Sequence, residues 1–191
     1  MMQSPSKLSR SIAPVFLDTS VLINLLAADC VEEMAIALAR PLQIAEQVSK
    51  ELIRDPRDGG DGSATLKRLV LGGALGVVAL DAAQGEQFVA LVGAAPPDDL
   101  GDGEAATLAC GCSGCVAIDE RKARRIALRD FPNLTLYSTL DLLTSDQAIS
   151  HFGAVRVRKM IGKARAVGRM RILPEWRDWI ASDGSSPATR S

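Results

Sequence analysis

Five short apolar, β-branched runs recur along this chain, each separated from the next by enough residues for at least one helix. That alternation constrains the fold more than any other feature. The runs are VFL at 15–17, PLQIA at 41–45, GVVAL at 76–80, CVAID at 115–119 and LTLY at 134–137. Helical spacing fills the intervals: VLINLL after Asp18, then VEEMAIALAR, EQVSKELIR, SATLKRLVLG, GEQFVALVG, EAATLACG and ERKARRIALRD, with TLDLLTSDQAISHF after the last run. Strands joined through helices run parallel, and a parallel sheet needs apolar cover on both faces. The expected fold is therefore α/β, a three-layer α/β/α arrangement around a central parallel sheet of about five strands.

At 191 residues the chain can build one sizeable core and need not divide in two. Residues 14–181 read as a single domain. MMQSPSKLSRSIAP has charge but no apolar segment ahead of a cleavage site, so 1–13 read as a disordered lead-in rather than a signal peptide. SDGSSPATRS at 182–191 reads as a disordered tail. No apolar run reaches the roughly 20 residues of a spanning helix, so the chain is expected to be cytoplasmic, away from membranes. A net charge of −1 excludes a globally basic nucleic-acid binder and leaves any such signal local.

In an open parallel sheet, ligand chemistry collects at the carboxyl ends of the strands. Asp18 follows the first run and Asp119 ends the fourth, so both belong to one rim although about a hundred residues separate them. Glu104 opens the helix after the acidic loop DDLGDG, and Glu51 lies on the helix after the second run. Carboxylates gathered at one rim repel unless a cation sits among them. Hard oxygen ligands suit Mg²⁺ or Mn²⁺. Each acid also has a plainer role open to it: Asp18 and Asp119 as helix caps, Glu104 as a partner of a helix dipole, Glu51 as a solvated helix residue.

Other chemistry has less support. The sole histidine, His151, lies far from any serine or cysteine motif, which argues against a Ser-His-Asp or Cys-His set. Cys110, Cys112 and Cys115 cluster in CGCSGC, but a metal site would want a fourth thiol or imidazole, so structural thiols are expected.

VFLDTSVLINLL, QVSKEL, GDGEAATLA and VAIDERKARRIA together resemble the PIN-domain family of metal-dependent ribonucleases. The likeness is to a toxin-like branch whose third acid lies in a Gly-Glu motif and whose fourth precedes a basic helix, and it spans residues 14–173. The resemblance implies a catalytic set of Asp18, Glu51, Glu104 and Asp119. One or two Mg²⁺ or Mn²⁺ would be held by Asp18, Glu104 and Asp119, with Ser20 in support behind Asp18. Asp102, Glu120 and Glu46 are rivals at the third, fourth and second positions. RNA is the implied substrate, a small antitoxin protein a partner, and a homodimer the implied state. For RNA contact the chain offers RVRKMIGKARAVGRMR, with seven basic residues and no acid, including Lys163, Arg165 and Arg169. ERKARRIALR adds Arg121 and Arg124. With 4% aromatics, shape and backbone recognition are favoured over base stacking. Two alternatives stand beside this one. The first is a catalytically degenerate PIN-like scaffold for RNA or protein. The second is a haloacid-dehalogenase-type phosphatase, which would want an acid where Ser20 stands.

Overall fold

The computed structural model describes residues 13–111, 114–168, 170–172 and 180. The order is β1 (Val15–Leu17), α1 (Thr19–Ala27), α2 (Val31–Leu38), β2 (Leu42–Ala45), α3 (Glu46–Glu51), α4 (Gly62–Leu71) and β3 (Gly76–Val78). Then come α5 (Ala82–Val92), α6 (Asp102–Cys110), β4 (Cys115–Ala117), α7 (Arg121–Asp130), β5 (Thr135–Tyr137), α8 (Thr139–Leu143), α9 (Asp146–Phe152) and α10 (Ala154–Ala166). Five strands form one all-parallel sheet in the order β3-β2-β1-β4-β5. Each apolar run of the sequence is one of them.

Alternation along the strands divides the core. Val15, Leu17, Leu42, Ile44, Cys115 and Ala117 belong to a core shared with α1, α2, α3, α4, α8, α9 and α10. Phe16, Ala45, Val116 and Ile118 face the other way, toward α6 and α7, with Phe88, Leu91 and Val92 of α5 packed at the margin. This is the three-layer α/β/α fold. Helix α1 has a broad buried face, with Val21, Leu22, Leu25 and Leu26 at most 1% exposed. Burial of each such leucine contributes about 1.5–3 kcal/mol.

The elements differ from their sequence outlines mainly at the ends. Helix α3 stops at Glu51, short of the LIR that the spacing included. Asp55 precedes Pro56 and is biased against helical backbone. The chain instead folds back, with Gly62 N–H donating to Ile53 O at 3.1 Å and Gly62 lying against the Leu52 carbonyl, where a Cβ has no room. Asp55, only 3% exposed, ties the turn by accepting hydrogen bonds from Arg57 and Thr65. Helix α5 starts before GEQF because Asp81 and Gln84 form a reciprocal capping box.

Cys30, Cys110 and Cys115 are buried free thiols. Cys115 accepts from Arg40 Nη2 at 2.6 Å at the amino-terminal edge of the sheet, opposite the acidic rim. Cys112, Arg169, the tail at 182–191 and all but residue 13 of the lead-in lie outside the described residues. Among the described residues no helix is long and apolar enough to cross a membrane.

Candidate active site

Strand β1 lies at the centre of the sheet. The chain builds outward from it through β2 to β3 on one side, then returns to place β4 and β5 on the other. The crevice at the carboxyl ends of β1 and β4 is therefore the point where the strand order reverses. Asp18 follows β1 directly, and Asp119 lies two residues beyond β4. The two are linked by backbone, with Asp18 N–H donating to Ala117 O at 3.0 Å.

One helix touches three of the four acids. Asp18, 1% exposed, is the N-cap of α1, and its Oδ2 accepts from Ser20 Oγ at 2.6 Å and Ser20 N–H at 3.3 Å. The cap and the rim acid are thus the same residue. Thr19, the first residue of α1, donates a very short hydrogen bond from Oγ1 to Glu51 Oε2. Asn24, near the end of the helix, donates Nδ2 to Asp119 Oδ2 at 2.8 Å. Asp119 also accepts from Thr139 N–H at 2.8 Å and Thr139 Oγ1 at 2.5 Å.

The fourth acid, Glu104, is brought in by the GDGE segment, whose two glycines have separate jobs. Gly101 is the N-cap of α6, and a Cβ there would fall on Glu104 Oε2, so the glycine lets this side chain fold back over the helix start. Gly103 N–H donates to Glu51 Oε1 at 2.8 Å, and a Cβ on Gly103 would meet Glu51 Oε2 and Thr19 Oγ1. Gly103→Ala is therefore expected to displace Glu51 while leaving the fold in place. The nearest atom it strikes, Glu51 Oε2, is the end of a flexible side chain, and alanine favours the helix by up to about 1 kcal/mol. Thermal melting should show a stability change within about 1 kcal/mol, while any activity that depends on Glu51 falls on the order of 10- to 100-fold.

Electrostatics tie the acids together. Burial pushes Asp18 up to about 6, opposed by the Ser20 hydroxyl and reinforced by the charge of Glu104. Glu104 is also raised, first by burial and then by the charges of Glu51 and Glu120, against the pull of its own backbone N–H. Burial is the larger cause in both, and the mutual repulsion of these carboxylates adds to it. The donor set, all carboxylate oxygens, fits a hard divalent cation. Among the described residues, no three acidic, histidine or cysteine side chains converge closely enough to form a ready-made ligand cage.

A family model described as PIN domain matches residues 14–174. The chain belongs to the PIN-domain family. Comparison with curated proteins and with solved structures returned no match. PIN domains are generally nucleases that use divalent metals, so this one has a nuclease-type, hydrolase-class fold.

The remaining candidates of this PIN domain are placed as follows. Asp102 is exposed in the first turn of α6, and Glu46 is exposed at the start of α3. Glu120 caps α7, accepting from Ala123 N–H at 2.9 Å. Arg124 is held inward, its Nη1 donating to Ile118 O at 2.8 Å and Tyr137 O at 2.7 Å, which braces the strand ends beneath Asp119. Arg121 is exposed at the first position of α7. Farther along that helix the basic face meets acids: Lys122 with Asp99 at 3.6 Å, Arg125 with Asp98 at 3.0 Å, and Arg129 with Asp98 and Asp130. On α10, Arg156 pairs with Glu33 and lies over the Phe152 ring, whereas Lys163 and Arg165 are exposed and make no ion pair with the described residues. His151 is exposed and packs edge-on against Phe152. Sequence reasoning did not single out Thr19, Asn24, Gly103 or Thr139. The glycine alone had a signal, its place in GDGE.

Proposed function

We propose that this PIN domain is a divalent-metal-dependent endoribonuclease acting at the crevice between β1 and β4. The observation that carries the reading is the joining of Asp18, Glu51 and Asp119 to a single helix, with Glu104 electrostatically coupled to Asp18 and Glu51. Asp18, Glu104 and Asp119 would hold Mg²⁺ or Mn²⁺. When bound, such a cation acidifies water and offsets charge developing on phosphoryl oxygens. The chain's own residues do the rest. Glu51, held between Thr19 and the Gly103 N–H, would orient a water or accept its proton. Arg124 keeps the floor of the crevice rigid.

Backbone recognition falls to exposed cations. The carboxyl end of α10 abuts α1 beside Asn24, where Gly168 lies against that side chain, so Lys163 and Arg165 stand on the element that leads to the rim. Arg121 offers a cation from α7. A small antitoxin covering the crevice and pairing of two copies are the partners this reading brings with it, and a toxin role is its biological setting.

The test is a denaturing-gel assay of single-stranded RNA with Mn²⁺ or Mg²⁺ and with EDTA, with DNA of the same sequence alongside. Metal-dependent internal cleavage of RNA is expected. In filter binding of the same RNA, Lys163→Ala/Arg165→Ala should weaken affinity and lower the slope of log affinity against log salt by roughly 0.7 for each phosphate no longer neutralised. The rate at saturating RNA should be kept, because binding removed equally from ground and transition states raises KM alone. An unchanged salt slope would move the RNA path to Arg121. The alternative is a degenerate scaffold, against which the presence of all four acids counts. Failure of the wild type to bind Mn²⁺ by calorimetry would select it.

A further inference from the structure

Two neutral side chains, Asn24 and Thr139, hydrogen-bond to Asp119. Helix α1 buries Val21, Leu22, Leu25, Leu26 and Ala27, and Asn24 is buried with them at 3% exposure. Its Nδ2 serves both Asp119 Oδ2, at 2.8 Å, and Thr139 Oγ1, at 3.2 Å. Turning the amide over would set Oδ1 against a carboxylate, so the hydrogen-bond network fixes its orientation. In that orientation Asn24 Oδ1 is buried with no hydrogen-bond partner among the described residues, and a Cβ on Gly168 would fall on it. A buried carbonyl without a donor is destabilising relative to an apolar side chain of similar size. Packing therefore does not account for an asparagine here, whereas service to Asp119 does.

Thr139 is fully buried at the first position of α8 and donates twice, backbone N–H to Oδ1 and Oγ1 to Oδ2. Oδ2 of Asp119 thus receives two donors and Oδ1 one, among the described residues. A carboxylate oxygen has about two accepting directions, so Oδ2 is filled and Oδ1 keeps one. We infer that Asn24 and Thr139 are positioning residues that saturate Oδ2 of Asp119 and leave Oδ1 as the single oxygen it offers to a divalent cation. This rests on the nuclease reading above and deepens it, by assigning Asp119 one-oxygen ligation enforced from behind by two neutral groups.

The experiment is Mn²⁺ titration calorimetry on the full chain, paired with thermal melting in EDTA, for the wild type, Asn24→Leu, Thr139→Val and Thr139→Ser. Asn24→Leu is expected to weaken Mn²⁺ binding on the order of 10- to 100-fold, the usual effect of removing a support behind a metal ligand. Its melting temperature in EDTA should be unchanged or higher. Thr139→Val should weaken binding in the same direction, and Thr139→Ser, which keeps the hydroxyl, should restore it. A purely structural pair gives the opposite pattern, with lowered melting temperatures and unchanged Mn²⁺ affinity, and overturns the inference. If Asn24→Leu does not fold, the Val and Ser variants at 139 decide: equal affinities reject the inference, and restoration by serine alone supports it. Wild type that binds no Mn²⁺ overturns the nuclease reading and this inference together. Wild type that binds, with every variant binding equally, overturns this inference alone.

Discussion

Asp18→Asn is expected to end RNA cleavage while leaving the metal-free protein as stable as the wild type at pH 7, or more so. Asparagine caps a helix as well as aspartate, so the start of α1 is kept. The stability effect follows from the raised carboxyl. Asp18 titrates near 6 in the folded chain and near its ordinary value of 3.8 when unfolded. Below 3.8 both states hold the proton and no penalty arises. Between 3.8 and 6 the unfolded chain releases the proton while the folded one retains it, so stability declines as pH rises. Above about 6 the full penalty persists, at most about 3 kcal/mol at 1.36 kcal/mol per pH unit. Urea melts in EDTA should therefore show Asp18→Asn gaining on the wild type from pH 4 to pH 7 and matching it near pH 4. Cleavage should fall at least on the order of 10²- to 10³-fold, the scale of losing one fixed electrostatic stabiliser of a transition state. A variant unstable at every pH would mark Asp18 as a cap and nothing more.

Between the two acids of GDGE, replacement of Glu104 by Gln should weaken Mn²⁺ binding far more than replacement of Asp102 by Asn. Glu104 is half-buried, and its charge raises Asp18 while those of Glu51 and Glu120 raise Glu104 in turn. It shares one electrostatic environment with the rim. Asp102 is exposed in the same first turn, and its charge is screened by water. Calorimetry should give a loss of about tenfold or more for Glu104→Gln, about 1.4 kcal/mol, and little change for Asp102→Asn. The reverse order would make Asp102 the ligand and Glu104 a capping residue that folds over Gly101.

The sheet was legible because parallel strands are largely apolar and five short apolar runs alternate here with helical spacing. Helix ends were less so. Nothing within EQVSKELIR shows that a turn from residues 53–62 will pack on Leu52 and stop the helix at Glu51. Asp18 and Asp119 could be placed on one rim because strand direction alone puts them there. Ser20 could also be read beside Asp18, two residues on, whereas the partners of Glu51 and Asp119 could not. Thr19 meets Glu51 across 32 residues, and Asn24 meets Thr139 across 115. Neither pair has a local pattern, and Asn24 stands in a run otherwise typical of a core helix. The arginines of ERKARRIALR illustrate the opposite failure. A basic face can be read from helical spacing, but the acids that meet it, Asp98 and Asp99, arrive from a loop more than twenty residues upstream. Arg124 turned inward for the same reason, since the carbonyls it braces belong to the ends of two strands.

Helix α1 is made before the groups that complete its rim. While residues beyond 100 are still unmade, Asp18, Thr19, Asn24 and Glu51 are all present, but Glu104, Asp119 and the Thr139 hydroxyl that bonds Asp119 are not. A nascent chain of this kind holds two of the four acids, so under the nuclease reading proposed above it would be inert while still attached to the ribosome. The long sequence separation that slows assembly of the crevice also delays its competence until most of the domain is free.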